Sequence, residues 1–192
     1  MKTFKISLFT AALMIATLAS CKNTSEKKQI KEVAMEQPAV EEKPVEQKIF
    51  PITFDGLIGS YLAIKDALVA DNNTAAADEA KQFFSILEKL ELSELEEAEQ
   101  AILKTSAPSM KQHADEMIQG DMVKQREHLE LLTDDMIAMV AVTGSSKTLY
   151  QQFCPMYQGN VGGIWLSESK EIKNPLFGSK MLKCGVVQAE FN

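Results

Sequence analysis

Apolar residues return every three or four positions from Ile52 to Val142, interrupted only by short polar or glycine-bearing breaks. That period marks helices that bury one face, and short links between them favour antiparallel neighbours. Leu57, Ile58, Tyr61, Leu62, Ile64 and Leu68 lie on one such face, with Thr53 or Asp55 placed to cap its start. Asp71-Asn72-Asn73 breaks the pattern, and Asn73 or Thr74 is expected to cap a second helix. Ala77, Ala80, Phe83, Phe84, Leu87 and Leu90 form the inner face of that helix. Ser93-Glu94-Leu95-Glu96 reads as a capping box opening a shorter helix through Leu103. Ala107-Pro108 should interrupt it, with helix resuming from Ser109 to Gln119. Gly120-Asp121 pinches the run, which continues from Met122 to about Val142 and stops at Gly144-Ser145-Ser146. Ser146 is then placed to cap one more helix towards Phe153.

The residues before this domain have a different texture. Lys2 and Lys5 precede an uncharged run from Ile6 to Ser20, too short to span a bilayer and suited to an export signal. It ends in Leu18-Ala19-Ser20-Cys21, which looks like a bacterial lipobox. The likeness implies cleavage before Cys21, lipid on its sulfur, and a membrane anchor facing the periplasm. With Lys22 next, the outer membrane is favoured over the inner. Residues 21–50 hold six lysines, six glutamates, Pro38 and Pro44 without apolar periodicity, the composition of a flexible tether. From position 49 onward 21 acidic residues face 12 basic ones, which argues against a nucleic-acid partner. The expected organisation is therefore a signal peptide at 1–20, a lipidated tether at 21–50 and a helical domain at 51–192.

The two cysteines of that domain, Cys154 and Cys184, flank its most irregular stretch. Each has a methionine close by, Met156 and Met181, and between them lie Trp165, a Gly-Gly pair and Asn174-Pro175. Short strands are expected around Ile164–Leu166 and Cys184–Ala189. The fold class is thus mainly α, an antiparallel helical bundle with a small C-terminal loop and β-hairpin segment carrying both cysteines. Three chemistries suit the pair. An even pair in an oxidising compartment can form a disulfide, which would stabilise by about 3–4 kcal/mol in a chain-entropy account. Thiolates and thioethers together select Cu(I) or Ag(I), making Cys154, Met156, Met181 and Cys184 a candidate metal set. A redox pair is the third. Elsewhere Met110, Met117, Met122, Met136 and Met139 crowd around His113 and His128, and methionine at helical spacing reads as core filling. Arg126, the one arginine, suits a structural carboxylate pair.

The string Cys154-Pro155-Met156, Gly163-Ile164-Trp165-Leu166-Ser167, Ile172 to Gly178 and Met181-Leu182-Lys183-Cys184-Gly185 resembles the domain of unknown function numbered 3347. Tyr61 to Val69 and Gln125-Arg126 are similar to two further patterns of that family, and Leu176 stands where it usually has tyrosine. The resemblance runs over about residues 52–190. It implies association with periplasmic adaptor subunits of copper/silver efflux systems of the CusB kind, and so raises the soft-metal reading. The Cys-Pro-Met start also looks like the opening of those adaptors' heavy-metal motif. Here Tyr157 replaces its histidine, and a closely spaced second Cys-x-x-Cys is missing.

Two functions follow as expectations. One is a lipid-anchored periplasmic protein that binds Cu(I) or Ag(I) and meets an efflux adaptor. The other is a disulfide-stapled binding or assembly module of the cell envelope, with Trp165 as its docking anchor. No phosphate loop, H-E-x-x-H or serine elbow is present, so an enzyme is not expected.

Overall fold

The computed structural model describes residues 54–192. The export signal, Cys21, the tether, Ile52 and Thr53 lie outside the described residues. Four long helices follow one another: α1 (Phe54–Val69), α2 (Asn73–Glu88), α3 (Glu97–Gln119) and α4 (Met122–Thr143). Each packs on its neighbour in sequence, and α1 also meets α4, closing an antiparallel bundle. Leu57, Phe83, Leu103, Leu129 and Leu132 are fully buried in its core. So are Met110, Met117, Met136 and Met139, which serve as core filling, as their spacing predicts.

The helix ends differ from expectation in instructive ways. Asp55 lies within α1, and its carboxylate instead accepts the Ser146 backbone N–H (3.3 Å) across the domain. Asn72, not Asn73 or Thr74, caps α2 by accepting the Ala75 N–H (3.0 Å), because Asp71 turns the chain at φ 55° one residue early. That places Ala76 rather than Ala77 in the core. The box that opens α3 is Glu96 with Glu99, preceded by a separate 3-10 turn at Leu92–Glu94. Pro108 does not stop α3, which runs unbroken for 23 residues. A proline inside a helix costs about 3 kcal/mol. Leu103, Met110 and Met117, in one line across it, each return about 1.5–3 kcal/mol on burial. Pro108 and Lys104 are both exposed, so water can reach the carbonyl that the proline leaves unbonded. Gly120-Asp121 is a full break rather than a pinch. Asp121 accepts the N–H groups of Val123 (3.0 Å) and Lys124 (2.9 Å) and starts α4 afresh.

After α4, Gly144 at φ 71° ends the helix. The expected further helix towards Phe153 is instead strand β1 (Leu149–Cys154), in which Tyr150 and Phe153 favour a pleated surface. β2 (Gly163–Ser167) and β3 (Val186–Phe191) both pair antiparallel with β1, giving the order β2-β1-β3. The two strands expected as a hairpin therefore flank a central third strand. The sheet meets the bundle through β2, which packs on α4 and α1. Tyr61 makes the polar joint. Its hydroxyl lies 2.7 Å from Thr133 Oγ1 on α4 and accepts the Leu166 N–H (3.0 Å) from β2. Burial pushes this phenol up to about 12, so it stays protonated.

Replacing Tyr61 with phenylalanine leaves the buried Leu166 N–H without its partner, at a cost of about 1–3 kcal/mol. Urea unfolding should show a lower midpoint at unchanged slope. An unchanged midpoint would mean that the joint carries no stability.

Candidate thiol site

β1 delivers Cys154 at its last position, directly opposite Gly163 of β2. Cys184 arrives from the other side, at the end of the loop that precedes β3. Their Sγ atoms lie 2.7 Å apart, with no S–S bond between them. Cys154 is fully buried and Cys184 half-buried, so the pair is reached from one side.

Side chains and backbone groups far from the sulfurs shape the loop that brings Cys184 there. Asn174 is fully buried and makes five of its bonds. Its Oδ1 accepts the N–H groups of Leu176 (2.8 Å) and Phe177 (3.2 Å), and its Nδ2 donates to Cys184 O (2.8 Å). Its backbone N–H donates to Leu182 O (2.8 Å), and its backbone carbonyl accepts the Gly178 N–H (2.9 Å). Arg126 then fastens this loop to the bundle. Its Nε donates to Pro175 O (2.9 Å), and its Nη2 donates to Leu68 O (3.3 Å) and Asp71 Oδ1 (2.5 Å). The expected structural ion pair is present, with Asp71 as partner. Gly178 (φ 57°) sits against it, and a Cβ there would fall 2.0 Å from Asp71 Oδ1 and 2.4 Å from Arg126 Nη2. Gly185 (φ 152°) permits the turn from Cys184 into β3, where a Cβ would lie 2.9 Å from the Trp165 ring.

Trp165 is itself fully buried, which removes it as an exposed docking anchor. Its indole N–H donates to Gln152 Oε1 (2.7 Å), so it is a satisfied core residue. Gln152 Nε2 donates in turn to Ser169 O (2.7 Å), holding the start of the loop. The candidate methionines flank the pair through their backbones. Met181 O accepts the Cys184 N–H (3.0 Å), and the Met156 N–H faces the Cys184 thiol. The Met156 side chain is 48% exposed. It borders an open groove of about 450 Å³ with Val123, Glu127, Tyr157 and Phe177.

Hydrogen bonding to Cys154 and then burial push the Cys184 thiol above the ordinary cysteine value, while the Met156 N–H pulls it back. Such a thiol is protonated near neutrality, unlike the low-pKa thiolates that act as nucleophiles. Among the described residues, no three His, Cys, Asp or Glu side chains converge as a metal site. What this place offers is two thiols, with thioether-bearing residues beside them.

Residues 57–148 match the family described as Protein of unknown function (DUF3347). They belong to it. The match spans the four helices from within α1 and ends before β1, so both cysteines lie beyond its C-terminal limit. No curated protein and no solved structure matches the chain.

The Asp71 carboxyl is pulled down from 3.8 to about 2 by the Ser179 hydroxyl and backbone N–H, and then by Arg126. A depressed folded-state value means that the stabilisation is present above pH 4 and is lost as the pH falls towards 2. An Asp71→Asn variant should therefore show a flatter dependence of urea stability on pH between 4 and 2, followed by Trp165 fluorescence. A pH dependence equal to that of the wild type would contradict this role.

Proposed function

We propose that this chain is a lipid-anchored protein of the bacterial cell envelope, facing the periplasm, that carries a soft metal ion as cargo. The ion is Cu(I) or Ag(I), and the setting is heavy-metal efflux or homeostasis with an efflux adaptor as partner. The observation that carries this reading is the meeting of the domain's only two thiols at one half-open place beside Met156 and Met181. Thiolate and thioether donors prefer soft ions, and a half-buried thiol lets cargo be exchanged one ligand at a time. Both thiols must lose protons to bind, so uptake releases protons and tightens as pH rises. The lipobox at Cys21 and the charged tether support the location. Catalysis has little support here, because the histidines that could act as bases bond to each other on α3 and α4.

The 2.7 Å spacing favours a second reading. A disulfide needs the sulfurs to close by about 0.7 Å. Sharing one tetrahedral ion at about 2.3 Å from each sulfur needs them to open by about 1 Å. Under oxidising conditions the pair would then staple the loop to β1, leaving the groove beside Tyr157 and Phe177 as a docking surface.

Counting free thiols before and after anaerobic Cu(I) addition separates the two. The cargo reading predicts two reactive thiols that become protected at about one Cu(I) per chain, and loss of binding in the Cys154→Ser/Cys184→Ser variant. Full Cu(I) binding by that variant would contradict the site. An absence of free thiols, with no uptake even after reduction, would leave the disulfide staple.

A further inference from the structure

The chain's two histidines lie one on α3 and one on α4, away from the thiol pair in sequence and in element. The two Nδ1 atoms, of His113 and His128, are 3.0 Å apart, with the rings tilted by 46°. One turn before His113 on α3, Ser109 Oγ lies 3.2 Å from His113 Nε2. The Asp135 carboxyl of α4 lies close to both Ser109 and His113. When His113 gives its Nε2 hydrogen to Ser109 Oγ, its Nδ1 lone pair faces His128. In this state a single proton, on His128 Nδ1, lies between the rings.

That arrangement matches how metal-ligating histidines are prepared, with one nitrogen held by an outer partner and the other left free. Beside the His113 ring, Asp135 Oδ2 is buried without a hydrogen-bond partner. Glu116 also acts on both histidines, although its carboxylate is engaged by Lys124. Lys124 offsets one of these two carboxylates, so one negative charge is left beside the imidazole pair.

We propose that His113 and His128 form a bidentate site, through their Nδ1 atoms, for a divalent transition-metal ion of the Zn(II), Ni(II) or Cu(II) class, with Asp135 as the adjacent counter-charge. Two nitrogens 3.0 Å apart subtend about 95° at an ion about 2.05 Å from each. A tetrahedral angle needs about 3.3 Å, a small opening, with the rings turned so that both lone pairs face the ion. The ion takes the place of the shared proton, which passes to His128 Nε2. Both rings are half-buried, so the ion can enter from solvent and water can fill its remaining positions. Imidazole donors select borderline ions where the thiol pair selects soft ones, so the two sites stand or fall separately.

The test uses the full chain labelled with 15N-histidine and titrated with Zn(II) alone, read in long-range 1H–15N spectra. The expected result is that the Nδ1 signals of His113 and His128 move together and saturate at one equivalent. In a His113→Gln variant the affinity at His128 should fall about a hundredfold, because the second imidazole no longer binds intramolecularly. No shift, a shift at one ring only, a shift through Nε2, or an undiminished response in His113→Gln would each overturn the site. The wild-type spectra decide the matter even if the variant does not fold.

Discussion

Arg126 is the only arginine of the chain, and it is nearly buried where the C-terminal loop meets the bundle. A guanidinium in that position must have its donors satisfied, because an uncompensated buried charge destabilises by several kcal/mol. The structure meets the need with Pro175 O, Leu68 O and the Asp71 carboxylate. Three segments are fixed by that single requirement: the end of α1, the first turns of α4 and the loop that carries Cys184. The planar fork holds acceptors from different directions at once, which an ammonium on a flexible stem does less well. Gly178 belongs to the same constraint, since no side chain fits between the ion pair and the loop.

The thiol pair inherits its geometry from this clamp. Arg126 holds Pro175, Asn174 organises the turn around it, and the Asn174 amide reaches Cys184 O. On the opposite side the β1–β2 register sets Cys154, and Tyr61 and Gln152 fasten the sheet by satisfying the buried polar groups of Leu166 and Trp165. Buried polar groups that are fully partnered hold one arrangement, because any slip leaves one of them unbonded. A half-buried thiol facing a buried one is the outcome. The bundle beneath provides the rigid floor, and the chemistry sits where two irregular segments are tied to it.

Much of the bundle was legible because a 3.6-residue period over long stretches survives local exceptions. Pro108 shows its limit. A proline is a strong local stop signal, yet the line of Leu103, Met110 and Met117 outweighs it, and no local rule carries that information. β1 was missed for the opposite reason. Leu149 to Cys154 is short, and its identity as a strand depends on β2 and β3 lying on either side. At the site, Cys154, Cys184, Met156 and Met181 stood out by residue type, and the structure brings the two sulfurs together. Trp165 stood out as well but is core, since aromatic content does not reveal which way a strand faces. Asn174 was seen as a turn, whereas its five bonds reach residues up to ten positions away. The pairing of His113 with His128 needed the packing of α3 on α4, which helical spacing alone does not specify.

The central claim is that the Arg126–Asn174 framework, rather than the cysteines themselves, holds the sulfurs together. The most direct measurement is the effective concentration of one thiol at the other, from the fraction of Cys154–Cys184 disulfide in glutathione buffers of graded ratio. The account predicts that Asn174→Ala lowers that concentration about tenfold or more while the helical circular dichroism is unchanged, because the loop loses its internal bonds. An unchanged effective concentration in Asn174→Ala would mean that the cysteines are held by some other part of the fold, and would contradict the account.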